Sequence, residues 1–312
     1  MRYMVARLTT TPPDMLEVTK AEYGHILAAG RQLQRLTDAE DKLELLIENF
    51  IEFEDALLRI ALEERASEPI GLVRQYDWAH GRRLLRTLNR RLANLVTAGK
   101  LCEDQLGHDI RALGWLTSAE REEYERGKKR ILKGCFGFSM VRKLRHHIQH
   151  RQLPITGLSV SGDRNQPGEA LRYRAIARLE VHRLREDPRF PPAARKKLEE
   201  WGSDIAVAPL VYEYLEGIGQ LYETYRIVTK KLAAKAEGRL KTTLKRAKEK
   251  FGAVDPTVTL LREYAGGAFE QDLQIFKDQL EYRTKLKNKN MKIRRLSNSF
   301  VSSQVTLDDS LR

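Results

Sequence analysis

The stretch that decides the fold is "VAPLVYEYLEGIGQLYETYRIVTKKL", residues 207–232. Apolar side chains recur along it in alternating steps of four and three residues: Val207, Val211, Tyr214, Ile218, Leu221, Tyr225, Val228 and Leu232. This heptad spacing places them on one face of an α-helix, and it is typical of a long helix in a bundle or at a subunit interface. The sequence therefore predicts a helix with one fully apolar face.

Two earlier segments predict further long helices. The first begins near residue 36, where Thr37 and Glu40 form a capping box, and it continues with apolar residues at helical spacing. The second lies within 72–113 and also has an apolar stripe. Its other faces carry arginines that could contact phosphates, at positions 82, 83, 86, 90 and 91. Clusters of this kind are also common on solvated helix faces.

A third helix opens at another capping box, Thr117 and Glu120, and should end near Arg151, because Pro154 disfavours helical geometry in the residue before it. Two glycines interrupt it in "KGCFGFS", residues 133–139. This spacing occurs in the phosphate-binding loop of KH domains, but it more often marks a helix break or a close helix contact.

The pattern changes after Pro154. The runs "GLSVSG" and "LRYRAIARLEVHRL" alternate apolar and polar residues on either side of a turn-rich segment, which predicts a β-hairpin. One of its faces is basic through Arg172, Arg174 and Arg178. Asp255 and Pro256 then predict the start of a helix that extends to about residue 285. The basic and serine-rich end of the chain lacks apolar periodicity, so we expect it to be disordered.

These patterns predict a mostly α protein, a helical bundle with long C-terminal helices and an inserted β-hairpin. The expected parts are an N-terminal segment (1–35), a helical core (36–155), the hairpin insertion (156–187), C-terminal helices that complete the bundle (188–285) and a basic tail (286–312).

Composition narrows the class of protein. The chain has 312 residues, 41% of them hydrophobic, and a formal net charge of +13. A core of ordinary size is possible, and the charge favours a polyanionic partner. No segment has the apolar length of a signal peptide or a membrane span, so we expect a cytoplasmic protein with no membrane partner. Cys102 and Cys135 show no metal or redox spacing and are expected to be buried thiols.

The candidate functional residues lie in "RKLRHHIQHRQLP", residues 142–154, which holds three of the seven histidines. A zinc site is one interpretation, but His147 stands where the HExxH motif of metalloproteases has its glutamate, and no third ligand is evident. A second is that basic residues gather at a helix C-terminus, where the helix dipole favours them. A third is acid–base cleavage of RNA, in which a histidine takes the proton of the 2′-hydroxyl and an arginine stabilises the phosphorane.

The hexapeptide "RHHIQH", Arg145 to His150, resembles the R-x4-6-H motif of HEPN-domain proteins, and so does its place at the end of a long helix within an all-helical bundle. The resemblance covers roughly residues 36–153. It implies a metal-independent endoribonuclease of the kind that acts as a toxin or an antiviral defence effector, in which Arg145 and His150 are catalytic and His146 assists. It also implies a homodimer with a composite active site, no cofactor, and a neutralising protein or defence-system partner.

Spacing supports the shared site independently. Arg145 and His150 are five residues apart, roughly 140° around a regular helix, so they would meet only if the helix frayed before His150 or a second copy faced the first. Arg142, Arg151 and the hairpin arginines are candidate RNA contacts. The tyrosine two residues past the histidine in HEPN toxins paired with nucleotidyltransferases is Gln152 here, which argues against that partnership. The alternative is a non-catalytic HEPN-like module that binds nucleic acid or a protein.

Overall fold

The structure, a computed structural model, is mostly helical with small antiparallel sheets, as the sequence predicted. It describes residues 1–8, 13–67, 78–112, 116–150, 153–163, 171–186, 195, 196, 198, 200, 202–252, 257–299 and 301. Within these ranges, the side chains of residues 67, 149, 150, 161, 163, 292 and 294 lie outside the description.

The α-helices are α1 (Lys20–Ser67), α2 (Trp78–Ala112), α3 (Ser118–Gly134), α4 (Phe136–His150), α5 (Val181–Arg185), α6 (Val207–Val228), α7 (Lys230–Phe251) and α8 (Lys277–Lys289). A 3-10 helix follows at Asn290–Asn298. The capping box predicted for α3 is confirmed: the Thr117 N–H donates to Glu120 Oε2 at 2.9 Å, and the Glu120 N–H donates to Thr117 Oγ1 at 3.2 Å.

The strands form two separate antiparallel sheets. They are β1 (Arg2–Arg7), β2 (Asp14–Val18), β3 (Ile155–Asp163), β4 (Arg172–Glu180), β5 (Asp204–Ala206), β6 (Val258–Glu263) and β7 (Phe269–Ile275). One sheet has the order β2-β1-β6-β7 and the other β3-β4-β5. β3 and β4 pair across the expected hairpin, and β5 adds a short third strand to them.

The chain divides into two compact units, and each is described by itself. The first consists of residues 1–45, 102–127 and 222–291, and it contains the four-stranded sheet. Its core joins apolar residues of that sheet with residues of α1, α7 and α8, among them Val5, Ile26, Leu240 and Leu260. Since these side chains are almost completely removed from water, their burial is the main favourable term holding the unit together.

The second unit consists of residues 46–101, 128–221 and 292–312, as far as these are described, and it contains the three-stranded sheet and α4. Part of the heptad face of α6 lies in its core, with Val211, Ile218 and Leu221 all 0% exposed. Tyr225 and Val228, which continue the same face into the first unit's ranges, are also buried. The predicted apolar face is therefore confirmed as far as Val228, where α6 ends.

Three local predictions are wrong. The first helix begins at Lys20, so the predicted capping box lies inside it, and the Thr37 hydroxyl donates to the Leu33 carbonyl. The helix predicted after Pro256 is replaced by β6 and β7 over 258–275, joined by a turn with positive φ at Gly266 and Gly267. The tail is ordered as helix to residue 298, while 302–312 lie outside the described residues.

Candidate functional site

Glu213 stabilises the start of the motif helix α4. Cys135 separates α3 from α4, and its thiol donates to the Glu213 carbonyl at 3.2 Å. The Glu213 carboxylate accepts a hydrogen bond of 2.6 Å from the Gly137 N–H, a favourable place for negative charge at a helix N-terminus. A Cβ on Gly137 would lie 2.5 Å from Glu213 Cβ. The glycines of this segment therefore accompany a helix break and a close contact, as the sequence predicted.

The buried stripe of α4 determines which motif residues face outward. Met140, Leu144 and His147 follow helical spacing and are each no more than 1% exposed. The middle histidine of the cluster is therefore a core residue. The candidate catalytic residues are on the other faces: Arg145 is half-buried and His146 is exposed.

Arg145 differs from other half-buried arginines of the chain. Arg226, Arg262 and Arg283 each pair with a carboxylate. Within the described residues no carboxylate pairs with Arg145, and its buried Nε has no hydrogen-bond partner there. Its positive charge is therefore uncompensated by that part of the chain, and such a guanidinium is suited to hold an anion.

The backbone of α4 remains helical through His150. The helix therefore does not fray before His150. On a regular helix the side chains of Arg145 and His150 point roughly 140° apart, with a rise of about 7.5 Å between their Cα atoms. The side chain of His150, and all of Arg151, lie outside the described residues. Of the two arrangements that could bring Arg145 and His150 together, a second copy of the helix remains compatible with this geometry.

The other candidate RNA contacts have different surroundings. Arg142 is half-buried, with its guanidinium carbon 5.8 Å from the centroid of the Phe138 ring. Arg172 and Arg174 are exposed on β4. Arg178 is engaged within its own sheet, where it donates to Asp204 Oδ1 at 2.7 Å and to Ser159 Oγ at 3.1 Å. Since Asp204 compensates its charge, Arg178 is a weaker candidate for a phosphate contact than the sequence suggested.

Asn89, which the sequence analysis missed, fixes the chain that follows the motif helix. It is 1% exposed on α2, its Oδ1 accepts from the Ile155 N–H at 2.9 Å, and its Nδ2 donates to the Ile155 carbonyl at 2.8 Å. We call this pair of bonds the Asn89 clamp. The side-chain amide pairs with both the N–H and the carbonyl of Ile155, as the backbone of a neighbouring strand would. The sequence signal for Asn89 was its place as a single polar residue in the apolar stripe of α2, between Leu88 and Leu92.

A cleft lies where the Asn89 clamp holds α2 against the chain that follows α4. It has a volume of about 650 Å³. The described lining residues come from α2, from the chain after α4 and from α5: Trp78, Ala79, Arg82, Leu85, Arg86, Asn89, Leu153, Ile155, Thr156 and Arg183. Three of them are arginines, so the cleft joins part of the predicted basic face of α2 to the segment that leaves the motif.

Two strongly shifted pKa values belong to buried groups of the first unit. Burial, and then the neighbouring Asp109 carboxylate, raises the pKa of Tyr225, whose hydroxyl donates to Asp109 Oδ2 at 2.9 Å. Burial also raises the pKa of Cys102 to about 12, so this thiol remains protonated at neutral pH. The predicted buried thiol is confirmed for Cys102, while Cys135 is half-buried. These groups stabilise a packed interior and do not contribute to the motif helix.

Comparison of the chain with models of protein families, with curated proteins and with solved structures gives no match.

Over the described part of the chain, no three side chains of His, Cys, Asp or Glu are grouped as metal ligands. No helix in the described ranges is both long and apolar enough to cross a membrane.

Proposed function

We propose that this chain is a HEPN-type endoribonuclease that cleaves RNA without a metal ion, through Arg145, His146 and His150. The observation that carries the proposal is Arg145, a half-buried guanidinium with no carboxylate partner in the described residues. Arg145 lies on the last turns of α4 beside exposed His146. The helix ends at His150, four residues after His146 and on the same stripe of the helix. A fixed cation beside imidazoles is the set of groups that phosphodiester transfer requires.

In the proposed reaction the RNA supplies its own nucleophile. His150 of one protomer takes the proton from a 2′-hydroxyl, and the 2′-oxygen forms a bond to the adjacent phosphorus. The bond from phosphorus to the 5′-oxygen breaks, and that oxygen is protonated as it leaves by the imidazolium of His150 from the second protomer. Arg145 stabilises the charge of the phosphorane, and His146 orients the phosphate. The products are a 2′,3′-cyclic phosphate and a 5′-hydroxyl.

The proposed site is shared by two protomers. A symmetric dimer uses the same surface patch twice, so a two-fold axis near the end of α4 would face one motif with its copy. Arg145 of one chain would then meet His150 of the other, which a single regular helix does not allow.

The test is cleavage of mixed RNAs by the purified full chain and by single-residue variants. We expect Arg145→Ala and His150→Ala to abolish cleavage without changing the helical CD signal or the melting behaviour. Two exposed residues serve as controls: Lys143→Ala, on the same helix, and His25→Ala, on α1, should retain full activity. If the wild type is toxic to its expression host, both motif variants should relieve the toxicity. Cleavage that survives both motif substitutions would contradict the proposal.

The chemistry also predicts which conditions support cleavage. Activity should persist in excess EDTA, because neither the 2′-hydroxyl nor the Arg145–His150 pair needs a Lewis acid. Products should end in 2′,3′-cyclic phosphate or in the 3′-phosphate derived from it. Products with a 3′-hydroxyl would rule out attack by the 2′-oxygen, and rescue by zinc or magnesium after EDTA would favour a metal site.

A mixed dimer tests the shared site. One wild-type chain and one His150→Ala chain, carrying different tags, are co-expressed and purified through both tags. Because each proposed cleavage needs His150 of both protomers, one as base and one as acid, this dimer should be almost inactive. About half of the wild-type activity, or cleavage by a protein that is monomeric at assay concentration, would mean that each site lies within one chain.

A second candidate function is a non-catalytic module that binds nucleic acid, and the arginine-lined cleft favours it. Binding of RNA with no cleavage by the wild-type protein would support this alternative. The resemblance to HEPN proteins further suggests a role as a toxin or defence effector with a neutralising partner. Toxicity of the wild type to its expression host would be the first indication of that role.

A further inference from the structure

The cleft beside the Asn89 clamp has an unbalanced charge. Arg82 and Arg86 are exposed on α2, four residues apart, so their side chains lie on the same face of the helix. Arg183 joins them from α5, and Glu180 pairs with it at 2.7 Å. Among the described lining residues none is acidic. Arginines gathered around one concavity repel one another, and an anion bound between them would remove that repulsion.

An aromatic ring stands at the same cleft. Trp78 is 80% exposed, although a tryptophan side chain is normally among the most buried in a protein. The Arg82 guanidinium carbon lies 5.7 Å from the centroid of the Trp78 ring, in the range of a cation–π contact. This contact orients the ring while most of the residue's surface remains open to a ligand. An exposed indole is a platform on which an unpaired base can stack.

The cleft is also tied by the backbone to the motif helix. Leu153, which lines it, is three residues after His150, so the two Cα atoms are at most about 11 Å apart. The Asn89 clamp holds Ile155, another lining residue, against α2. A strand bound in the cleft would therefore run close to the end of α4.

We infer that this cleft binds single-stranded RNA, with one base stacked on Trp78 and adjoining phosphates held by Arg82 and Arg86. The choice of RNA over other single strands rests on the proposed ribonuclease function. A base paired in a duplex is stacked between its neighbours and unavailable to an indole, so the site selects unpaired RNA. The cleft thus names the substrate class of the proposed enzyme and holds the strand beside the reacting phosphate.

The test measures binding of a fluorescein-labelled single-stranded RNA of mixed sequence to the 312-residue chain carrying His150→Ala, which prevents cleavage during the titration. Adding Trp78→Ala should weaken binding by about 5- to 150-fold, the range for loss of one base stacked on an aromatic ring. Trp78→Phe keeps an aromatic face and should restore most of the affinity. Arg59→Ala, an exposed arginine of α1 outside the cleft, is the matched control and should bind like the parent.

Salt dependence tests the phosphate contacts. The double variant Arg82→Ala, Arg86→Ala should bind more weakly and should reduce the slope of log affinity against log salt by about 1.4, because each phosphate contact on a single strand contributes about 0.7. A slope equal to that of the parent would contradict the phosphate contacts. Affinity within twofold of the parent for Trp78→Ala would overturn the stacking site.

Two further probes identify the ligand class. Single-stranded DNA bound as tightly as RNA would overturn the assignment to RNA, and duplex RNA bound as tightly would overturn stacking of an unpaired base. Cleavage by the wild-type chain is measured in parallel. Binding that depends on Trp78 without any cleavage would leave the cleft standing and remove the proposed ribonuclease, whereas cleavage that is unaffected by Trp78→Ala, with unchanged RNA affinity, would remove the cleft alone.

Discussion

Replacing Asn89 with alanine should lower the free energy of unfolding by about 1.4–5.4 kcal/mol. The amide makes three hydrogen bonds of 2.8–2.9 Å, two with the Ile155 backbone and one to the Leu85 carbonyl. Ile155 is only 2% exposed, so water cannot replace the lost partners of its N–H and carbonyl. Leaving a buried polar group unpaired costs about 1–3 kcal/mol each, and the better helix propensity of alanine returns about 0.6 kcal/mol.

Asn94→Ala is the matched control for this change. Asn94 lies on the same helix and is exposed, so the identical substitution gains helix propensity and loses no buried hydrogen bond. Urea unfolding followed by far-UV CD gives both free energies, and their difference isolates the Asn89 clamp. A difference below about 0.5 kcal/mol, the usual scatter of surface substitutions, would refute the reasoning. Under the proposed function, Asn89→Ala should also slow RNA cleavage where it remains folded.

Three other changes have defined outcomes. Arg226→Ala should cost about 3–5 kcal/mol in urea unfolding, because it leaves the carboxylate of Glu40, 1% exposed, buried without its bidentate partner. Gly137→Ala should cost about 1–3 kcal/mol through overpacking, whereas Gly134→Ala, where a Cβ has open space, should leave the melting temperature unchanged or raise it. Burial opposes ionisation of Asp272, but hydrogen bonds from an arginine and a tyrosine outweigh it and lower the pKa. Asp272→Asn should therefore lose stability at neutral pH, and the difference from wild type should shrink as pH falls below the unfolded pKa of about 3.9 and vanish only below the lower folded pKa; a difference independent of pH would contradict this assignment.

Features with a local cause could be predicted from the sequence. The heptad face of α6 and the Thr117–Glu120 capping box depend on residues within a few turns of one another, and both are confirmed. Local patterns fail where a distant partner determines the outcome. Thr37 and Glu40 have the spacing of a capping box, but Glu40 pairs with Arg226, 186 positions away, and the helix continues through both.

The strands of the first unit show the same limit. Residues 258–261 of β6 are all buried: Val258 and Leu260 lie in the core with residues of α1, α7 and α8, and Leu261 lies in a second cluster with Met4 and Ala6. A strand covered on both sides loses the alternation of apolar and polar residues that identifies a strand, and its apolar residues also fit a helical spacing. The consecutive glycines Gly266 and Gly267 were the unused signal, since they supply the positive φ that the β6–β7 turn requires.

The candidate site was only partly predictable. The sequence indicates that the motif lies near a helix end, and α4 does end at His150. Which motif residues face outward depends on what packs against α4, so the burial of His147 could not be read from the motif. The cleft depends on contact between Asn89 and Ile155, which are 66 residues apart, and single-sequence periodicity carries no information at that range.

The order of the four-stranded sheet has a consequence for synthesis of the chain. β1 is an interior strand whose partner β6 pairs Leu261 with Met4, 257 residues later. At a translation rate of about 5–20 residues per second, β1 waits roughly 13–50 s for that partner. During this time the unpaired backbone groups along one edge of β1 are open to association with other nascent chains. Any expression fragment that stops before residue 263 would keep this edge open permanently. We therefore expect the aggregation of truncations that lack β6 to depend on the unpaired edge of β1, a strand of six residues.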